Sequence, residues 1–297
     1  MTPVESIVRS YLYVPGNDAK RLSGASARGA DAVIADLEDS VALSAKDDAR
    51  SIVTSWLLEA PGHPRVERWV RINTGERGLQ DIAAIFAPGL TGICLPKVST
   101  ADDVGRAADV LDACEQRSGT KAKVTLFMPL IESALGLRAL DEIAAAPRVQ
   151  KLQIGEIDLG ADLGVVAGID ESELLYARSK VVTASVAAGI APPVGPVSSN
   201  FSDPAALAVS TQRLRRMGFV GRAAIHPNQL STIHEAFAVS PEELTQAQRM
   251  VERYEAAMAA GNGVIVGDDG RMIDEAVVRF SRRIIGLANA TNRENPE

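Results

Sequence analysis

Two apolar runs near the middle of the chain each close on an acid: Val124-Thr-Leu-Phe-Met-Pro-Leu-Ile-Glu132 and Lys151-Leu-Gln-Ile-Gly-Glu-Ile-Asp158. Both have the length and composition of buried strands, and a helix-starting or Gly-rich segment follows each. If the two strands are parallel neighbours, Glu132 and Asp158 emerge at the same sheet edge. Carboxylates that converge in a cleft repel each other unless a cation or a shared proton intervenes. A hard divalent ion takes one or two protein carboxylates, keeps some water and leaves room for an oxygen-rich substrate. Either acid alone could be a helix-start carboxylate. Two at consecutive strand ends favour a metal, so Glu132 and Asp158 are assigned as ligands of Mg2+, with Mn2+ as a substitute. Glu156 is out of phase with its strand and Asp162 lies beyond it, which makes both weaker candidates.

The elements that must position these acids form a regular alternation. Candidate strands are Arg9–Pro15, Ala32–Leu37, Trp69–Asn73, Gly92–Lys97, Val124–Ile131, Lys151–Ile157, Gly189–Val194 and Gly221–His226. Helical stretches such as Ser44–Glu59, Ala101–Arg117, Ala134–Ala146, Glu171–Ala188 and Pro204–Met217 separate them, with Ser44 and Asp47 expected to cap the first. Eight strands alternating with helices predict a (β/α)8 TIM barrel over residues 1–235. Residues 236–297 read as a C-terminal helical arm or lid. Beyond the eighth strand, helix over Leu230–Ala260 gives way to the Gly-rich stretch 261–270, a hairpin or hinge, before helix resumes over Arg271–Ala288.

In such a barrel the chemistry lies at the C-terminal strand ends. Those ends carry Asp36-Leu-Glu-Asp39, Arg71-Ile-Asn73, Pro96-Lys97, Glu132, Glu156-Ile-Asp158 and His226-Pro-Asn228. Arg71 beside an acidic metal site suits a two-pronged clamp on a substrate carboxylate, or a stabiliser of a developing oxyanion. The competing role is an ion pair with Glu38 or Asp39, and Lys97 reads as a partner for the same acids. Of the three histidines, His63 sits in a Pro/Gly loop and His234 on a helix, while His226 reads as a binding-wall residue. No histidine cluster suggests zinc, and no nucleophile motif suggests acyl-enzyme chemistry. The first strand is followed by Val14-Pro-Gly-Asn17, which is not a dinucleotide-binding turn.

The 297 residues carry a formal charge of −7. That argues against nucleic acid as the main partner. No run approaches the roughly 18 apolar residues a membrane span needs. The N-terminal residues lack a signal-peptide pattern, and Cys94 and Cys114 have no metal-ligand spacing. A cytoplasmic protein without a membrane partner is expected.

Arg9-Ser-Tyr-Leu-Tyr-Val-Pro-Gly16, Asp36-Leu-Glu-Asp-Ser-Val41, Val70-Arg-Ile-Asn73, Leu95-Pro-Lys97, Ile131-Glu-Ser133, Gly155-x-x-Asp158 and Ile225-His-Pro227 occur in that order. Together they resemble the citrate lyase β-subunit-like proteins of the HpcH/HpaI aldolase superfamily. The resemblance implies a Mg2+-dependent TIM barrel that makes or breaks C–C bonds in malyl, citramalyl or citryl thioesters. It places the metal on Glu132 and Asp158, and substrate on Arg71 and Glu132. Gly270-Arg-Met-Ile-Asp274 resembles the lid of malyl-CoA lyase-like members, which implies that Asp274 is an acid/base acting in a neighbouring subunit of a homotrimer or higher homo-oligomer. The expected partners are an acyl thioester, of CoA or an acyl carrier, and a keto acid. Lys20 and Arg21 are the candidates for the CoA phosphates with His226 nearby, and Gly24 stands where the family usually has lysine. A metal-dependent aldolase acting on a free hydroxy-keto acid, a citrate lyase complex subunit and a non-catalytic barrel are the alternatives.

Overall fold

The computed structural model describes residues 7–59, 66–119, 125–261, 265–267, 270 and 272–292. His63, Val124 and Arg271 lie outside them. Eight parallel strands close into a barrel in chain order: β1 (Ser10–Pro15), β2 (Ala32–Asp36), β3 (Glu67–Arg71), β4 (Gly92–Leu95), β5 (Leu126–Ile131), β6 (Gln153–Ile154), β7 (Val194–Gly195) and β8 (Gly221–Ala224). Closure is made by β8 against β1, with Ser10 opposite Arg222 and Leu12 opposite Ala224. This is the (β/α)8 fold that the alternation predicts.

Two strands are shorter than expected. The sixth stops at Ile154 because a helix begins at Glu156. The seventh begins only at Val194, since Pro192 and Pro193 have no N–H to give the ladder. The helix expected from Ser44 starts instead at Lys46. Ser44 lies in a 3-10 turn (Leu43–Ala45), and the helix has no side-chain cap. The expected Ala134–Ala146 helix divides at Ala139 into Ala134–Arg138 and Leu140–Ala144.

Alternation along the strands turns Tyr11, Ile34, Trp69, Met128, Leu130 and Ala223 into one buried interior cluster. Trp69 fills the space over Gly92, where an added Cβ would come within 2.3 Å of the indole. Beneath it, the indole N–H donates to Glu67 Oε2 (2.8 Å) and Lys151 Nζ donates to the Tyr11 hydroxyl (2.7 Å). The barrel is therefore filled at its N-terminal end.

The barrel belongs to a compact unit, Val8–Ala236, and a second unit begins at Phe237. In the second, helix Pro241–Ala259 opens with a capping box of Ser240 and Glu243. The expected continuous helix over Leu230–Ala260 is thus two, Leu230–Phe237 and Pro241–Ala259. A two-stranded antiparallel hairpin, β9 (Ile265–Val266) and β10 (Met272–Ile273), precedes helix Glu275–Asn292. Tyr254, Ile273 and Val278 form this unit's own buried cluster. Among the described residues, no helix is long and apolar enough to cross a membrane.

Candidate active site

At the C-terminal ends of the strands lies a cavity of about 470 Å3, and Arg71, Glu132, Asp158 and Arg21 all line it. Glu132 immediately follows β5 and is buried. Its Oε1 accepts a 2.7 Å hydrogen bond from the backbone N–H of Lys97. Lys97 presents that N–H from a left-handed backbone conformation (φ 52°), which is uncommon for a residue with a side chain. Its ammonium meanwhile donates to Glu38 Oε1 at 2.7 Å. Gly155 makes room for Glu132: a Cβ there would sit 2.7 Å from Glu132 Oε2 and 2.8 Å from its Cβ.

Asp158 does not end a strand, as the sequence suggested. It stands in the first turn of helix Glu156–Leu163. Glu156 is committed elsewhere, bridged by Arg178 Nε and Nη2 at 2.5 and 2.7 Å. Asp162 accepts from the N–H of Ala134.

The carboxyl of Glu132 is pushed up to about 8. Burial is the largest cause, and the charges of Glu38 and Asp158 add to it, against the Lys97 amide and Arg71. Two carboxyl groups therefore face one space, and their repulsion keeps a proton on Glu132 until a cation takes its place. Among the described residues, no group of three or more His, Cys, Asp or Glu side chains is arranged to hold a metal ion. A pair of carboxylates fits Mg2+, which keeps several waters, better than an ion that needs a full protein cage.

Arg71 is held more firmly than a free clamp would be. Its Nε and Nη2 donate to Asp36 Oδ1 and Oδ2, both at 2.7 Å. Nη1 lies 3.0 Å from Glu38 Oε2, and the guanidinium stacks over the Tyr13 ring at 5.1 Å. The principal partner is thus Asp36, rather than Glu38 or Asp39 alone. Burial raises the Asp36 pKa, but hydrogen bonding and charge from Arg71 outweigh that and hold it below the usual range. The loops after β2 and β3 are braced from behind, where Lys46 Nζ donates to the carbonyls of Leu37 and Glu38 and to Asn73 Oδ1.

The remaining candidates sit further out. Arg21 lines the cavity and pairs with Asp18 at 3.1 Å, whereas Lys20 is exposed on the same short helix, Ala19–Ala25, and is not among the lining residues. His226 is also off the cavity wall. Its ring stacks on Phe201, with centroids 4.9 Å apart, and its Nδ1 accepts from the N–H of Asn228. In the second unit, Asp274 Oδ1 accepts from the N–H groups of Ala276 and Val277 at 3.0 and 3.2 Å, capping helix Glu275–Asn292.

Among the lining residues that sequence reasoning did not single out are Tyr13 and Gln153. The available signal was Gln153 itself, a neutral polar residue inside the apolar run Leu152–Ile154.

The HpcH/HpaI aldolase/citrate lyase family model matches residues 9–227. This chain belongs to that family. It is 34% identical over 296 residues to the citrate lyase subunit beta of Leuconostoc mesenteroides subsp. cremoris, covering 99% of this chain and 97% of the relative. It is also 34% identical to a (3S)-malyl-CoA thioesterase of Cereibacter sphaeroides, covering 95% of each. Among solved structures, the Mycobacterium tuberculosis protein CitE in complex with magnesium, acetoacetate and coenzyme A aligns with a TM-score of 0.78 at 25% identity, covering 96% of this chain and all of that one.

Proposed function

We propose that this chain is a Mg2+-dependent carbon–carbon lyase acting on a carboxylate-bearing 3-hydroxyacyl thioester of the malyl, citramalyl or citryl type. The observation that carries this is the meeting of Glu132, Asp158 and Arg71 in one cavity, with the Glu132 carboxyl pushed up to about 8. The same metal and a thioester carrier accompany CitE, whose fold this chain shares along nearly its whole length.

Glu132 and Asp158 would hold the ion. Bound there, it supplies Lewis-acid polarisation of the substrate's hydroxyl and carboxylate oxygens. The hydroxyl would release its proton to water, the bond between the carbinol carbon and the thioester α-carbon breaks, and its electron pair becomes the thioester enolate. A keto acid and, after protonation of the α-carbon, a shortened acyl thioester leave. Arg71, fixed by Asp36, offers its guanidinium to the negative oxygen that develops, and its ion pairs keep it from following the substrate out. Asp274 is assigned the proton exchange with the enolate, in a neighbouring subunit of a homotrimer or higher oligomer. Residues 236–297 would be the lid and 1–235 the catalytic barrel. Lys20 and Arg21 would meet the phosphates of CoA or of a carrier's prosthetic arm, with His226 on the outer wall. A cytoplasmic setting suits such a substrate.

Incubation with malyl-, citramalyl- and citryl-thioesters, followed by mass spectrometry with and without Mg2+, tests the reading. It predicts a keto acid and an acetyl thioester only when the ion is present, and no turnover in Glu132→Ala or Asp158→Ala. Intact substrates in every lane would sink it. For the arm, mixing inactive Asp274→Asn with inactive Glu132→Ala restores partial activity if subunits share sites. No recovery after proven subunit exchange removes Asp274 from a neighbour's site.

A further inference from the structure

One buried polar group of the cavity has no part in the chemistry above. Gln153 lines the cavity and is 2% exposed. Its Oε1 accepts from the Tyr13 hydroxyl at 3.0 Å and from the Cys94 thiol at 3.7 Å. Burial pushes the Cys94 thiol up to about 12 and also raises the Tyr13 phenol, so both remain protonated donors across the working pH range. With Oε1 occupied from two sides, the carboxamide has one orientation, and Nε2 is turned from those donors. That group has no protein partner among the described residues. Nε2 is not among the buried side-chain atoms left without a partner, so it opens on the cavity, where a substrate oxygen can replace water as its acceptor.

Its depth says which part of a substrate could fill it. Gln153 pairs with Leu130 in the register of β5 and β6, two residues before Glu132, while Gly155 packs against Glu132 itself. Gln153 therefore lies one inward step below the acids of the metal pair. A thioester carrier is too large to pass them and must stay at the mouth. What reaches Gln153 is the far end of the acyl group, the substituent on the hydroxyl-bearing carbon. The neighbouring walls at Leu130 and Val197 are apolar, so the amide is the polar feature that this substituent meets.

Resting on the lyase reading, we infer that Gln153 is a specificity-determining residue: its Nε2 donates to an oxygen-bearing substituent on the carbinol carbon and selects against a methyl group there. A pocket built to hydrogen-bond a substrate oxygen rejects an analogue without it more strongly than an apolar pocket rejects an added methylene. Tyr13 is a positioning residue, because its hydroxyl donates to Oε1 and so fixes the amide.

The test compares kcat/KM for citryl- and citramalyl-thioesters, which differ by a carboxymethyl against a methyl at that carbon. The full-length protein with Mg2+ is expected to favour the citryl compound. In Gln153→Leu the citryl-to-citramalyl ratio should fall by about ten- to a hundredfold, and Tyr13→Phe should lower the same ratio by less. An equal loss on both thioesters would make Gln153 merely structural and overturn the inference, as would a wild-type preference for the methyl compound. If neither thioester is cleaved, the lyase reading has failed, and calorimetry of oxaloacetate against pyruvate with Mg2+ still decides this one. Tighter oxaloacetate binding in wild type that Gln153→Leu abolishes supports selection by the amide; equal affinities refute it.

Discussion

Replacing Glu132 with glutamine should make the metal-free protein more stable at alkaline pH while removing its response to Mg2+. The folded-state pKa of about 8 stands against an ordinary value of 4.5 in the unfolded chain. Between those values the native state holds a proton that the unfolded state has released, so stability falls as pH rises through the window and levels off above about 8. At about 1.4 kcal/mol per pH unit of displacement, the loss reaches on the order of 5 kcal/mol. Glutamine keeps the shape and still accepts from the Lys97 N–H, but it never ionises beside Asp158 and Glu38. With roughly 2–4 °C per kcal/mol for a protein of this size, Glu132→Gln should melt on the order of 10 °C above wild type in EDTA at pH 8.5. The two should converge as pH falls toward 4.5. Saturating Mg2+ at pH 8.5 should raise the wild type and leave the variant where it was. The Mg2+ affinity of the wild type should weaken about tenfold per unit as pH drops below 8, because the proton must leave before the ion binds. Differential scanning fluorimetry from pH 5 to 9, with EDTA and with Mg2+, measures all of this. Equal melting of the two proteins in EDTA at pH 8.5 would show that Glu132 is not electrostatically strained.

Gly155→Ala drives a methyl group into the Glu132 carboxylate, so it should cost about 1–3 kcal/mol in stability and weaken Mg2+ binding measured by calorimetry; unchanged Mg2+ affinity would mean the carboxylate has other room. Arg71→Lys keeps the charge but gives up the paired bonds to Asp36, so turnover should fall about 10²–10³-fold and the melting temperature should drop with it. Wild-type-like values in both measurements would reduce Arg71 to an electrostatic neighbour.

Most of the barrel was legible because its buried strands are apolar and its breaks are chemically explicit. The errors arose where tertiary packing outweighed local pattern. Lys151–Ile157 looks like one strand, yet the chain turns at Gly155, whose missing side chain is needed by Glu132 from the next strand over, a contact absent from the run itself. Ser44 and Asp47 have the spacing of a cap, but the chain already winds into a 3-10 turn at Leu43–Ala45. Arg71 was identifiable as functional from its position at a strand end, while its partner depended on barrel register, which sets Asp36 directly beside it. Helix Gly75–Ile85 went unread because its first turn carries two glycines, Gly75 and Gly78. It forms because Gly78 lets the Asn73 carbonyl approach where a Cβ would lie only 2.0 Å away.

Charge in the cavity sets an order of events. Five acids line it, Asp36, Asp39, Glu132, Glu156 and Asp158, against two arginines, Arg21 and Arg71. Arg71 neutralises Asp36, and Arg178 from outside the cavity neutralises Glu156. Arg21 already faces Asp18, and Lys97 lies 3.5 Å from Asp39. Asp158 and, above about pH 8, the ionised Glu132 are left facing any incoming substrate carboxylate. Like charges at short range in a poorly solvated pocket repel by several times what they would in water. An anionic keto acid should therefore bind measurably only after a divalent cation has reversed the sign of that corner. Calorimetric titration of pyruvate or oxaloacetate should give no heat in EDTA and a saturable isotherm in Mg2+, whereas Mg2+ alone should bind without either keto acid. Equal keto-acid affinity with and without the ion would mean that Arg71, despite its bond to Asp36, suffices to hold the carboxylate, and that the two acids serve something other than metal-first assembly of the site.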